Sequence, residues 1–357
     1  MNSPLVTVIT PTFQHERFIS ECLNSVQAQT FTSWEQIVVD DASTDRTGEI
    51  VKSFAANNPH IRYISQEHRG IYRLAETYNH ALSEARGEFI GILEGDDRWN
   101  DHHLESLVPA LQQDDVVLAY GRAMLLSPGD QRRHVIPNDR FIQRFGVDAL
   151  LNRPIGSATA AMLDRRGLTY VFPCALLVRR SVLERIGGFQ HVAEMGTIDY
   201  PTLLEISLLG GFAFVDAVVA RWRRHASAAS TRLHDNMYKR VRDYALEFVE
   251  RPDVKSVVSP EARRVVVHSW RGLEARVAAY NGRVELLRGN WRDSRTWFRA
   301  AMHTADPLIL GAAISGIAAS YLHLDLEPIV RASGRIDLHD TGLDVDSQTT
   351  TRSEPLG

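Results

Sequence analysis

Cysteine is scarce in this chain: Cys22 and Cys174 stand far apart among 357 residues, with no CxxC pair and no Cys/His cluster. That excludes a disulfide framework and a thiolate metal site, and it leaves two small buried hydrophobes in a reducing compartment. Long apolar runs are lacking as well. The longest, Leu308–Leu322, is shorter than a membrane span and is interrupted by Ser315 and Ser320. Nor is there an excess of one charge. The net charge of −4 gives no general affinity for nucleic acid, although the cluster Arg221-Trp222-Arg223-Arg224 can meet a small anionic ligand. The first ten residues lack the basic-then-apolar layout of a signal peptide, so the expected location is the cytoplasm. With 44% hydrophobic and 24% charged residues, the composition is that of a soluble protein, long enough for one large α/β domain and a smaller addition.

What the chain has in quantity is alternation. Leu5–Thr10 is a β-branched run stopped by Pro11, and Arg17–Thr30 then carries Phe18, Ile19, Cys22, Leu23 and Val26 at helical spacing. Trp34–Val39 predicts the next strand, ending in Asp40-Asp41. Ser43 is placed to cap a helix with Ile50, Val51, Phe54 and Ala55 on its apolar face. Ile61–Ser65 is a third strand, and Leu74, Tyr78, Ala81, Leu82 and Ala85 mark another helix. Glu88–Leu93 is a fourth strand, followed at once by Glu94-Gly95-Asp96-Asp97. Such alternation predicts an α/β fold, Rossmann-like, with a mainly parallel sheet and helices on both faces. Ligands of open α/β sheets bind beyond the carboxyl ends of the strands. Pro11-Thr12-Phe13, Asp40-Asp41 and Asp96-Asp97 should therefore converge on one crevice.

Beyond about residue 115 the alternation loosens. Val116–Leu126 and Val171–Val178 predict strands, Ser127-Pro128-Gly129-Asp130 a turn, Arg180–Ile186 and Asp199–Leu209 helices, and Phe212–Trp222 an extended segment. From Leu233 to Arg331 the pattern is all-helical, and from Ser333 the tail is polar and expected to be disordered. The expected division is a catalytic domain over 1–230, a helical region over 231–332 and a tail over 333–357.

The acids at the end of the fourth strand carry the strongest chemical signal. A hard divalent cation is commonly held by one or two carboxylates together with substrate phosphate oxygens. Gly95 lets the chain turn sharply and projects Asp96 and Asp97 at the sheet edge. Taken alone, the pair reads first as a polar loop in which one acid caps the helix beginning near His102.

Context shifts that balance. Val6–Phe13, then Ile37-Val38-Val39-Asp40-Asp41-Ala42-Ser43-Thr44-Asp45-Arg46-Thr47, then Gly87–Asp97 resemble glycosyltransferase family 2 in order and spacing. The resemblance covers about residues 5 to 230 and implies the GT-A catalytic fold, here followed by a C-terminal all-helical region. It further implies a nucleotide-sugar donor, Mg²⁺ or Mn²⁺, and inversion at the anomeric carbon. Position by position, it places Pro11 and Phe13 against the nucleoside, with Phe13 offering an aromatic face to the base. It gives Asp41 a hydrogen bond from a uracil-type imide, hence a UDP- or dTDP-linked donor, with capping of the next helix as a compatible role. Arg73 matches a basic position facing the donor in some members, and Asn79 a frequent structural Asn. Asp96 leans toward the ribose and Asp97 toward the metal. Glu94 stands where the family often has Asp, and Ala42 where Gly is usual.

An inverting transfer also needs a carboxylate to take the acceptor's proton. The family's Glu-Asp pair opens a helix after a Gly-Gly-Phe turn; here Gly187-Gly188-Phe189 precedes Asp199, and Ile198 replaces the Glu. Asp199 is thus the candidate base, Glu194 the reserve, and a helix N-cap before Pro201 the competing role for Asp199. Arg221–Ser230 resembles the Tyr-Arg-x-His segment that closes the catalytic domain, so His225 can meet the metal or the diphosphate.

The helical C-terminal region says less. Gly289–Ala301 looks like half of a tetratricopeptide-type helix pair without a second copy, and Leu308–Leu322 is expected as a buried core helix, with peripheral contact to a membrane surface or a partner as the alternative. The implied partners are a nucleotide sugar and a glycan, lipid-linked or protein acceptor, with no nucleic acid. Two other readings stay open: a non-catalytic sugar-nucleotide scaffold, and a nucleotidyltransferase, which should show a basic Gly-rich loop where this chain has Thr10-Pro11-Thr12-Phe13-Gln14.

Overall fold

The computed structural model describes residues 3–126, 155–164, 171–223, 225, 234–270 and 272–326. The chain divides into two compact units, Met1–Ser269 and Trp270–Gly357. The tail from Ser333 and the turn expected at Ser127–Asp130 lie outside the described residues.

The first unit is built on an eight-stranded sheet: β1 (Val6–Thr12), β2 (Trp34–Asp40), β3 (Ile61–Ser65), β4 (Phe89–Ile92), β5 (Arg98–Trp99), β6 (Val116–Leu126), β7 (Leu176–Arg179) and β8 (Gly211–Arg223). Their order across the sheet is β3-β2-β1-β4-β7-β6-β8-β5. β1 lies between β2 and β4 and runs parallel to both, so their carboxyl ends share one edge. The sheet is mixed, because β7 runs antiparallel to β4 and β6, and β5 runs antiparallel to β8. Every residue of β1, β2 and β4 is buried. Their β-branched runs are therefore those of strands covered on both faces rather than half-exposed ones.

Helices follow the strands where the apolar spacing places them: α1 (Ile19–Gln27), α2 (Thr47–Asn57), α3 (Leu74–Ser83) and the short α4 (His103–Leu107). α1 packs Ile19, Cys22, Leu23 and Val26 into the core with Val8, Val38 and Leu104. Later come α5 (Ser157–Leu163), α6 (Arg180–Arg185), α7 (Asp199–Ser207), α8 (His234–Val249), α9 (Pro252–Val257) and α10 (Pro260–Trp270). Three boundaries differ from expectation. β1 runs through Pro11 to Thr12, because the proline needs no amide at the strand's end. Ser43 does not cap α2: its hydroxyl accepts the Gln14 amide, while Asp45 takes the Thr47 amide at the start of the helix. The strand expected over Val171–Val178 shortens to β7, since Pro173–Ala175 turns as a 3-10 segment.

In the second unit α11 (Leu273–Leu287), α12 (Trp291–Ala301) and α13 (Pro307–Tyr321) pack around Phe298. A Cβ at Gly282 would lie 2.8 Å from that ring, and one at Gly316 would lie 2.3 Å from it, so both helices meet the ring through bare backbone. α13 is not a wholly buried core helix: Ile309 and Ala313 face the cluster, whereas Leu308, Ile314 and Tyr321 are exposed. No described helix is long and apolar enough to cross a membrane.

Candidate active site

The parallel ends of β1, β2 and β4 deliver the acids to one place, and backbone contacts fix the loops there. The Pro11 carbonyl accepts the Gly95 amide at 3.1 Å, and the Thr12 carbonyl accepts the Asp41 amide at 3.0 Å. Pro11 itself is buried, so what it contributes is this clamp on the acidic loop. Gly95 is needed for room rather than for an unusual turn. A Cβ there would lie 2.6 Å from Thr12 Oγ1 and 2.7 Å from His15 Nδ1.

That closeness brings His15 to the acids. His15, Asp96 and His225 form a group whose ligating atoms all lie within 4.8 Å of one another. His225 Nε2 is 2.9 Å from Asp96 Oδ2, and both side chains are largely buried. Burial by itself would raise the Asp96 carboxyl, but the hydrogen bond from His225 and the field of His15 hold it below the usual carboxylate range. Burial depresses His15, which keeps its ring neutral and a lone pair available.

Asp97 behaves differently. It is only 2% exposed, Oδ1 accepts the Arg223 amide at 2.7 Å, and the other oxygen is buried beside the Cys174 thiol. Burial, then Asp96 and Glu94, push it well above the carboxylate range. Of the two acids, expected toward ribose and metal respectively, it is thus Asp96 that meets the histidines and Asp97 that is buried. Gly95 and Asp96 form a turn closed by the Asp97 amide on the Glu94 carbonyl at 3.0 Å, and the two side chains part there: Asp96 meets the histidines while Asp97 anchors the end of β8.

Behind Asp96 lies a second acidic group. Glu94 accepts the Tyr78 hydroxyl at 2.7 Å, and burial, followed by Asp96, lifts it to about 7. Asp199 acts electrostatically on both Glu94 and Tyr78. Asp199 is the first residue of α7, not its N-cap, which is Ile198. Its carboxylate accepts the Thr197 hydroxyl, and burial raises it. The lead into α7 is set by Gly188, at φ +92 and packed on Asn79, whose amide exchanges two hydrogen bonds with the Phe189 backbone. Glu194 sits exposed in a left-handed turn at φ 64.

On the β2 side Asp41 is buried and saturated. Oδ1 accepts from Gln66 Nε2 (2.8 Å) and the Arg69 amide (2.9 Å), and Oδ2 accepts the Gly70 amide (2.9 Å). His68 Nδ1 lies 3.0 Å from Oδ2 and from the Asp41 carbonyl. Burial would raise Asp41, but these donors depress it. It caps no helix; it holds the 66–70 loop. The loop in turn sets the His68 ring 4.7 Å from that of Phe13, which is 40% exposed. Arg73 lies on the surface, where it pairs with Glu76 at 2.6 Å. Ala42 adopts φ 63, a left-handed value suited to glycine.

A family model described as Glycosyl transferase family 2 matches residues 7–187, just over half of the chain. The chain belongs to glycosyl transferase family 2. Among curated relatives, Glycosyltransferase GlyG of Streptococcus pneumoniae is 30% identical over 156 residues, 43% of this chain and 51% of that protein. The putative teichuronic acid biosynthesis glycosyltransferase TuaG of Bacillus subtilis is 31% identical over 167 residues, 45% of this chain and 63% of that one. The chain thus spans about half the length of such relatives. Among solved structures, S. aureus TarS 1-349 in complex with UDP-GlcNAc superposes with TM-score 0.58 at 16% identity, covering 93% of this chain and 94% of that one. The mannosyltransferase PcManGT from Pyrobaculum calidifontis, in complex with GDP-Man and Mn2+, gives 0.57 at 21% identity, covering 93% and 80%. At these identities the likeness is one of fold, and the fold is GT-A.

Within this family-2 fold, His225 meets Asp96, and Phe13 and Asp41 flank the same strand ends. Arg73 is turned to its own helix. Sequence reasoning missed His15, Tyr78 and His68. His15 had one signal, an imidazole three residues beyond Thr12 at a strand end; nothing marked the other two.

Proposed function

We propose that the chain is an inverting, metal-dependent glycosyltransferase that moves a sugar from a nucleoside-diphosphate donor to an acceptor hydroxyl. Its place would be in polysaccharide or glycoconjugate assembly, with residues 1–230 as the catalytic part. The observation that carries this reading is the His15–Asp96–His225 group at the strand ends, with buried Asp199 electrostatically linked to Glu94 beside it. The names of TarS, TuaG and PcManGT, with their UDP-GlcNAc, teichuronic acid and GDP-Man/Mn2+, support the same class of reaction.

Two imidazole nitrogens and one carboxylate oxygen fit a divalent first-row ion, and of the two expected ions they suit Mn²⁺ better than the all-oxygen-seeking Mg²⁺. Asp96, His225 and His15 would hold it, in place of Asp97. When bound, the ion stabilises negative charge on the departing diphosphate. The chain's own residues do the rest. Asp199, raised by burial, takes the proton of the acceptor hydroxyl. The acceptor oxygen then bonds to the anomeric carbon from the face opposite the bond to phosphate, which breaks to release the nucleoside diphosphate.

For the nucleoside, Phe13 offers the stacking face, and Asp41 acts through the loop it orders. An ionised Asp41 fixes the His68 proton on Nδ1 and leaves Nε2 as an acceptor. An acceptor at that point pairs with the imide N–H of uracil or thymine, which cytosine lacks, so a UDP- or dTDP-linked donor is favoured. Screening nucleotide sugars for diphosphate release, with and without glycan, lipid-linked and protein acceptors, tests the proposal. Binding of donors without any release would select a scaffold instead.

A further inference from the structure

α1 and the β5–β8 pair border an open cleft of about 600 Å³ whose wall has an unusual charge pattern. Antiparallel register sets Arg98 directly opposite Arg221. Like charges in that position repel and weaken the pairing of the strands. Arg223, two residues further along β8, emerges on the same side as Arg221. Glu21 serves two of these three guanidiniums, at 2.7 Å from Arg223 and 3.8 Å from Arg98. Arg221 Nε donates to Asn100 Oδ1 at 3.1 Å, and the Asn100 amide nitrogen is engaged by the Val218 carbonyl. Arg98 Nε is buried and has no hydrogen-bond partner among the described residues. Asp101 is the other acid on the wall, and His102 turns to Glu105.

Burial, and then the facing Arg98 charge, lower the Arg221 guanidinium. A sheet that confronts two arginines carries a local electrostatic cost that an anionic ligand in the cleft can relieve. Guanidinium forks match the oxygens of phosphate better than any neutral group does. We propose that this cleft binds a phosphate-class oxyanion between Arg98 and Arg221, beside the strand-end crevice and independently of the donor diphosphate. The oxyanion is either a free phosphate or monoester, or the phosphodiester of a charged polymer. The proposal does not rest on the sugar-transfer reading.

The test is calorimetric titration of the full chain, in chelator so that the histidine–aspartate group holds no metal, with two probes: inorganic phosphate and dimethyl phosphate. Phosphate is expected to bind, and Arg98→Gln and Arg221→Gln each to weaken it by about tenfold or more. Arg264→Gln, on the exposed face of α10, should change nothing. Binding of dimethyl phosphate as well identifies a phosphodiester, and binding of phosphate alone identifies the free ion or a monoester. Thermal unfolding gives a second readout. Without ligand, both variants should melt no lower than wild type, because the opposed charges are gone, and phosphate should raise the melting temperature of wild type only. Should either glutamine variant fail to fold, Arg98→Lys keeps the charge but loses the fork, and weaker phosphate binding is expected there too. Absence of binding by both probes at millimolar concentration, or unchanged binding in the arginine variants, overturns the proposal.

Discussion

Replacing Asp41 separates two roles that one carboxylate could hold, ordering a loop and reading a base. Asp41→Ala removes the acceptor for the Arg69 and Gly70 amides, Gln66 Nε2 and His68 Nδ1. Hydrogen bonds to a charged group contribute about 1.5–3 kcal/mol each, but donors in a half-buried loop regain water, so a total of about 2–4 kcal/mol is expected. In a unit of this size that lowers the melting temperature by roughly 5–10 °C. The donors hold the folded pKa of Asp41 below its ordinary 3.8. Its contribution is therefore fully present above 3.8 and is lost as pH falls through the lower folded value. The gap between wild type and variant should accordingly close in acid. His68→Ala is the counterpart. His68 is 54% exposed, so stability should hardly change, while the preference for UDP over CDP, expected at about 1–3 kcal/mol in wild type, should vanish. Urea unfolding across pH and calorimetric titration of UDP and CDP read both effects. A His68→Ala protein that keeps its preference, with an Asp41→Ala protein of wild-type stability that loses it, would refute the assignment.

Asp199→Asn should cut kcat by about 10²–10⁴-fold while nucleotide affinity holds, as steady-state kinetics and titration will show. Since burial raises Asp199 above 3.8, kcat/KM should fall with pH through that raised value; a flat acid limb in the pH profile moves the base elsewhere. Ala42→Gly relieves a left-handed backbone and should stabilise the protein by about 1 kcal/mol in denaturant titration. Gly316→Ala forces a methyl into the Phe298 ring and should destabilise by about 1–3 kcal/mol.

The sheet was legible because β1, β2 and β4 are buried on both faces and must be written in β-branched residues. The antiparallel course of β7 was not, since the short run Leu176–Arg179 carries no direction. At the site, the sequence located the two neighbouring acids but not which one faces the crevice. That depends on the turn at Gly95-Asp96, which sets Asp96 against the histidines and leaves Asp97 buried. Asp41 was expected to cap a helix or bind a base, yet its partners come from a loop 25 to 29 residues away that no local pattern announces. His15 and His68 are lone histidines in loops, and only the fold sets one against Asp96 and the other against Asp41.

Asp96, with two histidines, is proposed to hold the ion on which sugar transfer depends. The most direct test is nucleoside-diphosphate release from the screened donor by wild type, Asp96→Asn and Asp97→Asn, with Mn²⁺ or with excess chelator, alongside Mn²⁺ binding measured by loss of the free-ion spin-resonance signal. Release that needs the ion, with both release and Mn²⁺ binding abolished in Asp96→Asn while Asp97→Asn still binds Mn²⁺, is the expected result. Full turnover in chelator, or Mn²⁺ binding lost in Asp97→Asn and kept in Asp96→Asn, would contradict it.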